Sequence, residues 1–121
     1  MAWYAAHAIL YLKLKAGQQD RYPVWENIYL VAGDTANDAL VKAMQCGEAD
    51  AGDSDGTFTW NEQPAEWLFA GIRKLVAVAH VNSGDTLSSG DEITYSEFEL
   101  ENLDAVMRLA SGGRVQAEYV D

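Results

Sequence analysis

Apolar residues alternate along several segments of the chain, and this period of two predicts mainly β-strands. In residues 3–14 both alternating sets are apolar or aromatic, which is typical of a central strand covered on both faces. Alanine is a poor strand former, so a helix is the alternative for the same residues. A hairpin loop is predicted at residues 16–20 and a second strand at residues 22–32. Pro23 cannot donate a ladder hydrogen bond, so that end of the second strand is expected to be an edge or a bulge.

A helical period follows the second strand. Thr35, with Asp38 three residues later, forms a variant of the capping box, and Gly47 is the predicted end of the helix. The apolar stripe, spaced as on one side of a helix, consists of Ala36, Ala39, Leu40, Ala43 and Met44. We therefore expect Leu40 and Met44 to face the sheet.

The second half of the chain contains further strands and a second helix. The strands are predicted at residues 57–60, 67–81, 93–100 and 115–119, with bulges near Gly71 and at residues 96–97. Asn102 is positioned to cap a helix with the apolar residues Leu103, Val106, Met107 and Ala110. The order β-β-α-β-β-β-α-β, with short links, predicts one α+β domain over residues 1–121. Its sheet is expected to be mainly antiparallel, with about six strands and with two helices packed on one face.

The composition is that of a folded, strongly acidic protein. Hydrophobic residues form 49% of the 121-residue chain, enough to fill one core. The 8 Lys and Arg against 19 Asp and Glu give a formal charge of −11, and this field repels phosphate backbones, so we expect no nucleic-acid partner. Carboxylates are concentrated in residues 48–62 and 91–121. They form either a solvated surface or a docking face for a basic partner.

Two features bear on localisation. Cys46 is the single cysteine, so no disulfide can form within the chain. The N-terminus has no basic region before its apolar stretch, and the longest apolar run is far shorter than the ~20 residues that span a bilayer. We therefore expect a cytoplasmic protein without a membrane partner.

An acidic loop contains part of a calcium-binding pattern. When Gly56 is aligned with the invariant glycine of an EF-hand loop, Asp53, Asp55 and Glu62 fall at ligand positions. The first ligand position holds Ala51 instead of a carboxylate. These three acidic residues are therefore candidates for weak Ca²⁺ binding, and the alternative is an acidic turn that leads into a strand.

The sequence predicts no catalytic residue and no cofactor. It contains no glycine-rich loop followed by a lysine that could bind a nucleotide phosphate. His80, Asp85 and the nearby serines are the residue types of a hydrolase triad, but no nucleophile-elbow sequence accompanies them. His7 is interpreted as a structural histidine within the first strand.

Two groups of side chains are candidates for contact with a protein partner. Trp25 and Tyr29 lie on one face of the second predicted strand, and tryptophan is enriched at binding hot spots. Glu97, Glu99 and Glu101 fall on one side of a later predicted strand, where their mutual repulsion gives no stability. The alternatives are core packing for the aromatic rings and solvation for the glutamates.

Some stretches of the chain resemble a known family. The stretch WYAA at residues 3–6, the second strand that leads into the helix, and the stretch GDEITYS at residues 90–96 are similar to segments of the DUF4288 family, small bacterial domains of unknown function. The resemblance covers about half of the chain. It implies a bacterial cytoplasmic setting and a strand-strand-helix opening, and it implies no activity.

The sequence thus favours a non-catalytic bacterial binding module that uses an acidic face and an aromatic patch. An immunity protein or an accessory subunit with a basic protein partner would fit this description. Self-association into a homo-oligomer is another form of the same hypothesis. The alternative is a small enzyme whose site is assembled from scattered polar residues, and saturable turnover would distinguish it.

Overall fold

The computed structural model describes residues 1–78 and 86–120. In chain order the elements are β1 (Ala2–Leu14), β2 (Val24–Gly33), α1 (Ala36–Asp50), β3 (Thr59–Trp60), β4 (Gln63–Ala77), β5 (Glu97–Glu99), α2 (Leu103–Ala110) and β6 (Glu118–Val120). This confirms the predicted α+β class and its mainly antiparallel pairing. The strand predicted at residues 67–81 begins earlier, at Gln63, and the end predicted for it lies outside the described residues.

β1 is a central strand of a four-stranded antiparallel sheet with the order β2-β1-β4-β3. Ala5, Ala6, His7 and Ala8 follow one another in β1 and are all fully buried, which requires that both faces of the strand are covered. The strand predicted over residues 3–14 is therefore confirmed against the helical alternative. β2 forms one edge of the sheet, as expected from the proline that precedes it.

β4 is bulged near Gly71, as predicted. Its pairing with β1 shifts register between His7 and Ala8 and again between Ile9 and Leu10, and Gly71 lies between the two shifts. Gly71 has a φ of +155°, a backbone conformation that residues with a Cβ rarely adopt. Bulges of this kind bend a strand and increase its twist.

The large sheet has four strands, so the prediction of about six strands in one sheet is wrong. The strand predicted at residues 93–100 is limited to β5, which pairs with β6 in a separate two-stranded sheet. Residues just before β5 are instead held against a face of the large sheet, where Thr94 contacts His7 and Tyr95 covers the ammonium group of Lys74. Because the segment lies on the face, it does not extend the edge.

α1 packs closely on the sheet through a glycine. The predicted cap is confirmed, since Thr35 Oγ1 accepts the N–H of Asp38 at 3.1 Å. The helix continues through Gly47 to Asp50, so Gly47 is not its end. A Cβ at Gly47 would lie 2.3 Å from Cε1 of Phe69 in β4, and glycine therefore permits the close approach of helix and sheet.

Small side chains form the side of α1 that faces the sheet. Ala39, Ala43 and Gly47 are buried, whereas Leu40 is half-buried and Met44 is exposed. The prediction that Met44 faces the sheet is wrong, because the close contact at Gly47 turns the alanine side of the helix toward the strands.

α2 begins as predicted but does not pack on the large sheet. Asn102 Oδ1 accepts the N–H of Ala105 at 2.9 Å, which confirms the cap. Leu103 and Met107 of the apolar stripe are 67% and 61% exposed, and α2 makes no extensive contact with any described strand. The expectation that both helices pack on one face holds for α1 alone. Neither described helix is long and apolar enough to cross a membrane.

Candidate functional site

Three tryptophan side chains meet at one end of the large sheet. The ring centroids of Trp25 in β2 and Trp67 in β4 are 4.7 Å apart, and that of Trp60 in β3 is 6.1 and 6.4 Å from them. The interplanar angles lie between 81° and 89°, so the rings pack edge to face. We call Trp25, Trp60 and Trp67 the tryptophan cluster.

Strand register places the rings of Trp25 and Trp67 on the same face. Trp25 lies opposite Leu10 in the β1–β2 ladder, and Trp67 lies opposite Leu12 in the β1–β4 ladder. Opposed residues share a face of the sheet, and so do residues two apart on one strand. This is the face of Ala6, which packs against α1. The tryptophan cluster therefore continues the helix-bearing face beyond the end of the helix.

A groove of about 360 Å³ lies beside the tryptophan cluster, lined by Leu10, Trp25, Asn27, Asp50 and Trp67. Trp25 is 46% exposed, so its ring is accessible from solvent. Asp50 is the last residue of α1, and its Oδ2 accepts a hydrogen bond from the hydroxyl of Tyr29. We call this the Trp25 groove.

The two residues of the predicted aromatic patch differ in their surroundings. Trp25 is exposed, whereas Tyr29 is half-buried against the core and holds Asp50 in place. Burial raises the pKa of the Tyr29 hydroxyl, and its hydrogen bond to Asp50 adds to this increase. Tyr29 therefore remains a protonated donor at neutral pH and positions the carboxylate of the Trp25 groove. Contact of Trp25 and Tyr29 with a partner stays a prediction.

A second group of polar side chains lies on the other face of the sheet. Nδ1 of the fully buried His7 is 3.0 Å from Glu26 Oε1, and its Nε2 is 2.5 Å from Thr94 Oγ1. Arg73 Nε donates to Glu26 Oε1 at 2.9 Å, and the Tyr119 hydroxyl donates to Glu26 Oε2 at 2.9 Å. We call these residues the polar network. It joins β1, β2 and β4 to residues 86–120, which contain Thr94 and Tyr119 and which we call the C-terminal segment.

Glu26 is ionised at the centre of the polar network. Burial opposes its ionisation, but hydrogen bonds from Tyr119, Arg73 and His7, together with the charge of Arg73, outweigh this and lower the pKa of Glu26 below its ordinary value of 4.5. A carboxylate can only accept, so we assign the donated proton to Nδ1 of His7. The Arg73 guanidinium also stacks on the Tyr119 ring, 4.1 Å from its centroid.

The order hydroxyl, imidazole, carboxylate in Thr94, His7 and Glu26 is that of a hydrolase triad. The same bonds also anchor the C-terminal segment on the sheet. The burial of His7 agrees with its interpretation as a structural histidine. His80 and Asp85, which the other candidate triad requires, lie outside the described residues.

Sequence reasoning missed Glu26, although the sequence contains a signal for it. Val24, Ile28 and Leu30 alternate on one face of the second strand, and Glu26 interrupts them. A carboxylate on an apolar face of a strand needs a charged or hydrogen-bonding partner. Nothing in the sequence indicates that the partners are Arg73 and Tyr119.

The acidic loop is held by contacts within the protein. Asp53 Oδ2 accepts from Lys15 Nζ at 2.6 Å, and Asp53 Oδ1 accepts from the N–H of Gly56 at 3.0 Å. The hydrogen bond from Lys15, followed by that from Gly56, lowers the pKa of Asp53. Glu62 lies in the turn between β3 and β4. In the described parts of the chain no three His, Cys, Asp or Glu side chains are grouped to hold a metal ion, and Ca²⁺ binding by Asp53, Asp55 and Glu62 stays a hypothesis.

The three glutamates predicted on one later strand do not all lie in that strand. Glu97 and Glu99 lie in β5, whereas Glu101 follows the strand, so the expectation that all three share one side of a strand is wrong. The strand is shorter than predicted because its ladder with β6 contains only the pairs from Glu97 to Glu99. Glu99, Glu101 and Glu118 line a groove of about 750 Å³. We call this the acidic groove.

Comparison with known proteins found no matching family model, no similar curated protein and no similar solved structure. The resemblance to the DUF4288 family therefore stays a prediction.

Proposed function

We propose that this protein is a non-catalytic binding module for a basic protein partner, with the tryptophan cluster as its central contact. The observation that carries the proposal is the partial exposure of Trp25 at the rim of the Trp25 groove. Tryptophan in a well-packed aromatic group is the residue type in which interfaces concentrate their binding energy. The neighbouring rings hold Trp25 in one orientation, so little side-chain entropy is lost on binding.

Charge supports a basic partner. The protein carries a formal charge of −11, and the acidic groove concentrates three glutamates at one place. Such a field attracts a positively charged protein and raises its association rate, and it acts over about 8 Å at physiological ionic strength. Added salt is therefore expected to slow association more than it speeds dissociation.

The proposal predicts that a Trp25→Ser variant loses its partner. Truncation of a hot-spot tryptophan typically costs at least about 2 kcal/mol, or about thirtyfold in affinity. The measurement is affinity capture from a lysate of the native organism, with quantitative mass spectrometry, followed by titration of the purified partner.

The matched control for this experiment is Val24→Ser. Val24 precedes Trp25 on β2, points to the opposite face and is 55% exposed, so this variant removes an exposed apolar side chain outside the tryptophan cluster. A partner that is lost with Trp25→Ser and kept with Val24→Ser supports the proposal. Equal retention by both variants would contradict it.

A second candidate function is hydrolysis of an activated ester, and the order of Thr94, His7 and Glu26 favours it. In this reaction the Thr94 hydroxyl attacks the ester carbonyl and His7 Nε2 takes its proton. The alcohol leaves with that proton, and water releases the acyl group. Glu26 would accept the hydrogen bond from the Nδ1–H of His7 in every step of the reaction.

The second candidate predicts saturable hydrolysis of p-nitrophenyl acetate that disappears in Thr94→Val. This variant keeps the shape of the side chain and removes the hydroxyl. Ser96→Ala removes an exposed hydroxyl two residues away and serves as the control. Hydrolysis at the same rate by Thr94→Val and the wild type would rule out this function.

A further inference from the structure

We propose that the Trp25 groove binds the guanidinium group of an arginine side chain presented by the protein partner. This inference rests on the proposed function and names the chemistry that the groove recognises. It follows from the carboxylate of Asp50, the accessible indole of Trp25 and the position of both at the end of α1.

The end of α1 lacks the positive charge that a helix end favours. The C-terminus of a helix carries a partial negative charge, so Lys or Arg is favourable in its last turn. The last turn of α1 contains no basic residue and instead carries Glu48 and Asp50. Proteins break such local rules mainly at functional positions. A cation bound in the Trp25 groove supplies the missing charge.

The aromatic rings select a planar cation. An indole face is the best aromatic partner for a cation, and a guanidinium stacks on it while its N–H groups remain free in the ring plane. Those N–H groups can then donate to Asp50, whose Oδ2 is already oriented by Tyr29. A lysine ammonium is more strongly hydrated and has no planar face, so arginine fits the site better than lysine.

The same chain builds this arrangement on its other face. There the guanidinium of Arg73 donates to the carboxylate of Glu26 and stacks 4.1 Å from the centroid of the Tyr119 ring. The Trp25 groove offers the same two components, a carboxylate and aromatic rings, and no basic residue is among those that line it. The residues outside the described ranges, 79–85 and 121, contain no Lys or Arg that could supply one.

The test uses three blocked peptides that contain a single arginine, lysine or citrulline. Citrulline has the shape of arginine without its charge. Binding to the protein of residues 1–121 is followed by the NMR signals of the indole N–H groups. We expect the arginine peptide to bind at least about tenfold more tightly than the citrulline peptide, to exceed the lysine peptide and to shift the signals of Trp25 and Trp67.

Two variants with the same net charge show whether binding of the arginine peptide depends on the carboxylate of Asp50. Asp50→Asn keeps an acceptor for Tyr29 and removes the charge in the groove, whereas Asp34→Asn removes one charge near the other end of α1. We expect Asp50→Asn to lose about tenfold in affinity for the arginine peptide, and Asp34→Asn to lose less than about twofold. Equal binding of the arginine and citrulline peptides, or equal losses in the two variants, would overturn the inference.

The outcomes separate this inference from the proposed function. Capture of a protein partner that depends on Trp25, without discrimination between arginine and citrulline, leaves the proposed function in place and removes the arginine site. Selective binding of the arginine peptide, without any partner that depends on Trp25, leaves the site in place and removes the proposed function.

Discussion

Glu26→Gln is expected to lower the free energy of unfolding by about 3 kcal/mol. The substitution removes the anion from the polar network and breaks the ion pair between Glu26 and Arg73, whose side chains are 19% and 16% exposed. Loss of one partner of a buried ion pair typically costs about 3–5 kcal/mol, and the residual exposure of Glu26 places this case at the lower end. Urea denaturation followed by circular dichroism measures the change. The control is Glu97→Gln, an exposed glutamate, for which a change within about 0.5 kcal/mol is expected.

The difference between the wild type and Glu26→Gln is expected to depend on pH. The pKa of Glu26 is lowered in the folded protein. Ionised Glu26 therefore stabilises the fold at pH values above 4.5, the ordinary pKa of a glutamate side chain. As the pH falls below that value toward the lower folded-state pKa, the unfolded chain takes up a proton first and the stabilisation is lost. Denaturation midpoints should therefore differ most near neutral pH and converge in acid. A difference that persists unchanged well below pH 4 would show that ionised Glu26 is not the source of the stability.

Leu12→Ala is expected to have the largest effect of any substitution in the apolar core. Leu12 is 1% exposed and is one of the largest fully buried side chains of the described residues. Truncation of a buried leucine typically costs about 2–5 kcal/mol, and Leu12 lies on the central strand opposite Trp67 of β4, so we expect about 3–4 kcal/mol. Thermal and urea denaturation give the measurement.

The matched control for Leu12→Ala is Leu103→Ala in α2. It makes the same chemical change at a side chain that is 67% exposed, and a change within about 0.5 kcal/mol is expected. A large loss of stability in Leu103→Ala would show that the apolar face of α2 is covered in solution, for example by a second copy of the chain.

Local patterns predicted the elements that depend on neighbouring residues. The two-sided apolar pattern of residues 3–14 identified the buried strand β1, and the side chains of Thr35 and Asn102 identified the starts of both helices. Gly71 marked the bulge in β4. Each of these signals is contained in a few adjacent residues, because alternation, capping and positive φ are local properties.

Contacts between residues that are far apart in the sequence could not be predicted from local patterns. The sequence predicts a helix end at Gly47. The structure instead uses this glycine within the helix, because a side chain there would collide with Phe69. The sheet was expected to include residues 93–100, but the bond between Thr94 and His7 holds that segment on the face. In the candidate site, Trp25 was identified from the sequence, whereas Asp50 was not, because its place in the Trp25 groove depends on where α1 ends relative to β2 and β4.

The polar network also implies an order of events in folding. Its bonds from Thr94 to His7 and from Tyr119 to Glu26 connect residues 87 and 93 positions apart, whereas the β1–β2 ladder closes across a short loop. Closing a longer loop costs more conformational entropy, so the β1–β2 ladder is expected to form before these long-range bonds. We therefore expect the C-terminal segment to dock last during folding. In native-state hydrogen exchange we expect its amides to exchange through a local opening that leaves the four-stranded sheet closed.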